Sequence, residues 1–125
     1  MTLSARKDRL VQVYKTEKQR VDGKDKTYRR YIYTAAQKTA GGLWANAREL
    51  TDEEKVRNDL AYENRYVQFI MNRNPKITTD CIIVYNSNTY AIESTDLLDF
   101  RAKDMKIKAK LIKDNNKYTG DLYSG

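Results

Sequence analysis

The side chains able to do chemistry are few. The 125-residue chain has no histidine, so the commonest general base and the commonest metal ligand are both missing. Its single cysteine, Cys81, opens the apolar run Cys81-Ile82-Ile83-Val84. A thiol in such a setting acts as a small buried hydrophobe rather than as a nucleophile. One cysteine without histidine excludes the usual zinc sites and any intramolecular disulfide. No glycine-rich loop ending in Lys-Ser/Thr and no dinucleotide fingerprint is found. Carboxylates do cluster, as Asp52-Glu53-Glu54 and as Asp96, Asp99 and Asp104. The first group suits a helix start, where acids oppose the positive end of the helix dipole. The second lacks calcium-loop spacing. A carboxylate pair can act as acid and base, as in glycosidases, but no spacing here shows one. The expectation is therefore a protein that is not an enzyme and that uses no cofactor and no metal.

What remains is charge. The chain carries 24 Lys and Arg against 17 acids, a net charge of +7. Residues 1–38 hold eleven Lys/Arg and four acids, so the whole excess lies in the first third. A local positive field favours an anionic neighbour, nucleic acid or an acidic protein surface. Lysines on a sheet edge also keep strands from aggregating. The run Lys24, Lys26, Tyr28, Arg29, Arg30, Tyr31 interleaves cations with aromatic rings, as single-strand binders do. Strand alternation, however, puts Tyr31 and Tyr33 on one face with Arg29, and Arg30 and Ile32 on the other. That mixture reads better as an edge strand with its tyrosines packed inward than as a stacking platform. Ten Tyr stand beside two Phe and one Trp, a balance suited to half-buried strand faces and interfaces.

The elements that must carry these residues are mostly strands. Residues 10–19 and 27–33 read as strands joined through Asp22-Gly23, a pair that tolerates the positive φ of a tight hairpin. Residues Thr34, Ala35, Ala36, Gln37, Lys38, Thr39, Ala40, Gly41 and Gly42 are small and nearly uncharged, and read as a flexible loop. A third strand covers 43–50. Thr51 and Glu54 form a capping box for a short helix over about 52–62, with Val56 and Leu60 toward the core. Residues 65–71 form a strand that closes before Pro75. Residues 81–85 and 89–93 pair around Asn86-Ser87-Asn88. Residues 105–111 alternate strictly, with Met105, Ile107, Ala109 and Leu111 inward and Lys106, Lys108 and Lys110 outward. The fold class is mainly β: a small barrel or sandwich of about seven strands with one short inserted helix. It forms a single domain over 1–113, and 114–125 reads as a mobile tail. No apolar run approaches membrane-span length, and the polar, basic start is no secretory signal.

The order of these parts resembles a known family. A basic strand leads to Asp22-Gly23, and Trp44-Ala45 runs into a helix with Glu54 at its start. Phe69, Ile82 to Tyr85, Tyr90-x-Ile92 and Asp96 follow. The chain so resembles, over about residues 9–112, the head-closure (head–tail joining, or stopper) proteins of tailed bacteriophages. The resemblance implies a structural virion protein of the neck, made in the host cytoplasm. It implies a homo-oligomeric ring, hexamer or dodecamer, between the portal-adaptor protein above and a tail terminator or tail protein below. Genomic DNA would pass through the lumen, and no membrane would be involved. It also makes residues 34–42 the candidate channel-gating loop. The basic hairpin of Lys24, Lys26, Arg29 and Arg30 would face DNA or a neighbouring protein. The alternative is a monomeric nucleic-acid-binding β-barrel.

Overall fold

The computed structural model describes residues 7–61, 63–97 and 103–124. In chain order the elements are β1 (Arg9–Val21), β2 (Lys24–Tyr31), α1 (Ala35–Thr39), β3 (Leu43–Glu49), α2 (Asp52–Arg57), β4 (Tyr66–Asn72), β5 (Ile82–Tyr85), β6 (Asn88–Leu97), β7 (Asp104–Ile112) and β8 (Gly120–Tyr123). Among the described residues the strands form one eight-stranded sheet in the order β3-β4-β7-β6-β5-β1-β2-β8, and β3 also pairs with β1. That extra pairing closes six strands into a ring. The mainly β expectation holds, as a small barrel from which β2 and β8 extend.

The barrel interior is filled by alternate residues of every wall strand, including Val11, Val13, Ala45, Phe69, Met71, Ile83, Ile92, Ile107 and Ala109. Period-two alternation turns one face of each strand inward. In β7 Met105, Ile107 and Ala109 are buried and Leu111 is half-buried, with the lysines between them only partly covered. Cys81 is buried and free. Both hairpins close on two residues at positive φ, Asp22 (53°) with Gly23 (77°) and Asn86 (52°) with Ser87 (64°). These are the conformations that let a two-residue loop match the strand twist.

The long strand β1 organises the barrel seam. Its residues Gln12–Tyr14 pair with β5 along one edge. Along the other edge it pairs first with β3, at Arg9–Val11, and then with β2, at Tyr14–Val21. β2 and β3 therefore lie end to end, and residues 32–42 are an excursion between them. The flexible loop expected over 34–42 is instead a capped helical turn. Thr34 accepts the Gln37 N–H at 3.3 Å, and Gly42 N–H donates to the Gln37 carbonyl at 3.0 Å. The small side chains of Ala35 and Ala36 and the hydroxyl cap favour one turn of helix over an open coil. Gln12 then ties the turn down: its Nε2 donates to the Gly41 carbonyl at 2.6 Å, and its Oε1 accepts from the Tyr33 hydroxyl. That hydroxyl also accepts the Val13 N–H at 3.2 Å, filling the gap in the ladder. Gly42 sits at φ 103°, and a Cβ there would lie 2.2 Å from the Val11 carbonyl oxygen, so only glycine fits the close approach.

Three further expectations are corrected. Helix α2 has its capping box, but it is shorter than 52–62, and Tyr62 lies outside the described residues. Val56 is 70 % exposed while Lys55 is buried. The cause is Arg48, which grips both Glu54 oxygens at 2.6 and 2.8 Å and so turns Glu54 to the barrel. Two residues on, about 200° around the helix, Val56 must face solvent. Leu60 follows the helix and is half-buried. Lastly, the stretch 114–125 expected as a mobile tail supplies β8, which pairs in parallel with β2 from Tyr28↔Gly120 to Tyr31↔Tyr123. Gly125 lies outside the described residues, as do residues 1–6 of the basic start.

Candidate nucleic-acid interface

The basic hairpin is held at its root and free at its tip. β5 accompanies β1 only to Tyr14, and β8 accompanies β2 only from Tyr28 onward. The register from Lys18↔Thr27 to Val21↔Lys24 therefore forms a two-stranded ribbon with no third strand on either edge among the described residues. A lone hairpin is marginal in water, so the root must be firm.

Tyrosines make it so. Tyr14 and Tyr31 meet edge to face at 5.8 Å, Tyr31 stacks on Tyr33 and on Tyr123 at 5.6 Å each, and Tyr118 meets Tyr14 at 5.8 Å. Asp114 accepts from both Tyr14 (2.6 Å) and Tyr118. Burial alone would raise the Asp114 pKa, but the hydroxyl donors outweigh it and hold the carboxyl below its usual range. Burial first, then the Asp114 bond, pushes the Tyr14 hydroxyl far above its ordinary value. Burial also raises Tyr33 and Tyr31. These rings are packed inward, as the alternation of Arg29, Tyr31 and Tyr33 suggests, and Tyr14, Tyr31 and Tyr33 are not open to a base.

The four sequence candidates separate into two pairs. Arg29 lies over the Tyr118 ring at 4.1 Å and 3.7 Å from Asp121. Arg30 binds Glu17 through Nε and Nη2 and gives Nη1 to the Tyr123 carbonyl at 3.0 Å. Both arginines fasten β8 and the hairpin root. Lys24 and Lys26 sit on the free ribbon and make no ion pair among the described residues. Lys15, Lys18, Arg20 and Lys76 share that state and escape the sequence reading. The available signal is register: once Asp22-Gly23 fixes the turn, counting back pairs Gln19 with Lys26 and Lys15 with Arg30.

Among the described residues no group of three His, Cys, Asp or Glu is placed to hold a metal. Asp96 is exposed, Asp104 pairs with Lys7 at 3.0 Å, and Asp99 lies outside the described residues. In the candidate gate, Thr34 caps α1, Lys38 reaches 5.1 Å from the Tyr31 ring, and Gly41 and Gly42 return the chain to β3. The gate segment therefore packs against the root of the basic hairpin. No protein-family model matches the chain, and no curated protein does. The fold is similar to the solution structure of protein SF1141 from Shigella flexneri 2a, with a TM-score of 0.67 and 14 % identity over 89 % of this chain and 97 % of that one. At that identity the likeness is one of fold.

Proposed function

We propose that this chain is a structural protein of the bacteriophage neck, assembling as a ring between the portal-adaptor and the tail and closing the DNA channel after packaging. The observation that carries the reading is the basic ribbon, which runs past the end of a closed barrel. Among the described residues the six wall strands close on one another, which leaves strand edge exposed on the ribbon and on β8 and makes the barrel wall a side-chain surface on which copies can pack. A ring of such barrels presents one ribbon per subunit to whatever threads it. Weak contacts by each ribbon to a polyanion then add through multivalency. Residues 34–42 act in this reading as a plug that moves as one pinned turn. Opening it breaks the Gln12–Gly41 and Tyr33–Gln12 hydrogen bonds.

The same unpaired lysines favour one other reading, a barrel that binds nucleic acid as a monomer. Phage heads filled with DNA but assembled without this chain separate the two. Added purified protein is expected to make their DNA resistant to nuclease and to appear as a ring beneath the portal in electron micrographs. Heads that stay nuclease-sensitive, together with a protein that sediments as a monomer and binds DNA tightly at physiological salt, would overturn the neck assignment in favour of the monomeric one.

A further inference from the structure

The ribbon has two faces, and they differ. Residues directly opposite one another in an antiparallel pair share a face. Tyr14/Tyr31, Thr16/Arg29, Lys18/Thr27 and Arg20/Asp25 make one face; Lys15/Arg30, Glu17/Tyr28, Gln19/Lys26 and Val21/Lys24 make the other. The first face is covered at its base by the segment before β8. Tyr118 places its hydroxyl 3.3 Å from Thr16 Oγ1, Asp114 takes the Tyr14 hydroxyl, and Arg29 lies over the Tyr118 ring. Toward the tip it carries exposed Lys18 and Arg20, the latter with Asp25 opposite it in the register.

The second face is half-buried at its root and exposed at Gln19 and Lys24. At its root an open groove of about 390 Å³ runs beside Lys15, Glu17 and Arg30, with Pro75, Lys76 and Thr78 across from them. Glu17 is the acid of this face, and it is occupied by Arg30 at 3.0 Å, which holds its carboxyl below the usual range. Lys76, Lys15, Lys26 and Lys24 are left as an unopposed row leading from the groove to the tip. On one strand, residues two apart on the same face stand about 6.6 Å from each other, so Lys24 and Lys26 are one such step apart and Lys15, opposite Arg30, lies two steps farther toward the groove.

We propose that this face is a phosphate track for double-stranded DNA. Lys15 and Lys76 grip the backbone at the groove, and Lys26 and Lys24 follow it outward. The assignment to duplex rather than single strands follows from the rings. Tyr14 and Tyr31 are buried on the opposite face, and Tyr28 is a lone half-buried ring among the lysines, so no platform exists for successive bases. The contact reads charge and not sequence. It rests on the neck reading for its DNA, but its test needs no ring.

The test is fluorescence anisotropy of a short labelled duplex with the purified full chain, titrated between about 50 and 200 mM salt, where each phosphate contact adds about 0.9 to the slope of log K against log salt. Replacing Lys15, Lys24, Lys26 and Lys76 together by Gln is expected to reduce that slope by about 3.6. Replacing Lys18 and Arg20 by Gln on the opposite face should change it by less than about 1. Thermal melts of both variants confirm that each remains folded; the replaced side chains lie on the ribbon and the groove rim, away from the barrel core. Equal loss from the two faces, a clear preference for single strands, or no binding by the parent protein at the lowest salt would overturn the track. If the four-lysine variant loses DNA binding yet still seals heads, the track stands and is dispensable for closure. If the parent binds as expected but heads stay open, the neck reading alone fails.

Discussion

At the residue scale, Trp44 shows how far a side chain's type can mislead about its place. The largest aromatic in the chain is 56 % exposed, because Ala45 takes the inward position and strand alternation sends Trp44 out. It stands between two surface hollows, one shared with Leu10 and Tyr85 and the other with Met71 and Arg73. Trp44→Ala is therefore expected to lower stability by less than about 1 kcal/mol, against about 3–5 for a buried Trp. Urea denaturation of the two proteins measures it. A loss of 3 or more would mean that the indole is buried in solution, in the fold or in a stable oligomer. Glu54 was legible for the opposite reason: a capping box is a local pattern of four residues, and both of its reciprocal bonds are present at Thr51. The outward turn of Val56 was not, since it depends on Arg48 in a different element.

Elements were legible wherever turn chemistry and alternation agree. Asp22-Gly23 fixed the first hairpin, and the Met105 to Leu111 alternation fixed β7. Legibility failed in two places where a distant contact decides. Residues 34–42 carry no strand pattern, and their order comes from Gln12 and Tyr33, twenty or more positions apart in sequence from the partners they fasten. The segment after 113 has no periodicity, and its order comes from β2 and Tyr14, about a hundred residues away. This gives the C-terminal strand a measurable role. Truncation after Ile112 removes Asp114, Tyr118 and Tyr123, uncovers one face each of Tyr14 and Tyr31, and frees the edge of β2. It is expected to destabilise the barrel by about 2–4 kcal/mol, from the apolar area returned to water and the lost hydroxyl partner of Tyr14. Amide exchange should quicken first in residues 27–31 and 14–17, before the barrel strands β4 and β7. Uniform exchange across the sheet would show that β8 does not brace the ribbon. The candidate interface was half legible for a similar reason: composition marks the basic hairpin, but only its register and the tail covering one face separate Lys24 and Lys26 from Arg29 and Arg30.

At the scale of the whole molecule, two sets of titrating groups bound the pH range of the fold from opposite sides. Glu54 is pulled down to about 2 by its bonds from Arg48 and the Thr51 N–H. Glu17, Glu49 and Asp114 also lie below their ordinary values, the first two through bonded arginines. A group with a lowered folded pKa adds stability above its unfolded pKa and loses it as the pH falls toward the folded one. The acid limb should therefore begin near pH 4.5 and continue downward. Tyr14, Tyr33 and Tyr31 are raised above 10, each chiefly by burial. Their contribution is complete below the unfolded value near 10 and disappears as the pH rises past it, because the unfolded chain then releases protons that the folded chain retains. The chain has no histidine, the side chain that ordinarily titrates between about pH 5 and 8. Melting temperature against pH is thus expected to show a flat stretch from about pH 5.5 to 8, with a fall on the acid side and another above about pH 9. Tyr14→Phe should soften the alkaline fall and leave the acid limb largely in place, since Glu54, Glu17 and Glu49 do not touch the tyrosine cluster. A melting temperature that changes steeply within the flat stretch would show that the tyrosine root is not packed as described. The ribbon's anchorage, and with it the lysine track, would then need another basis.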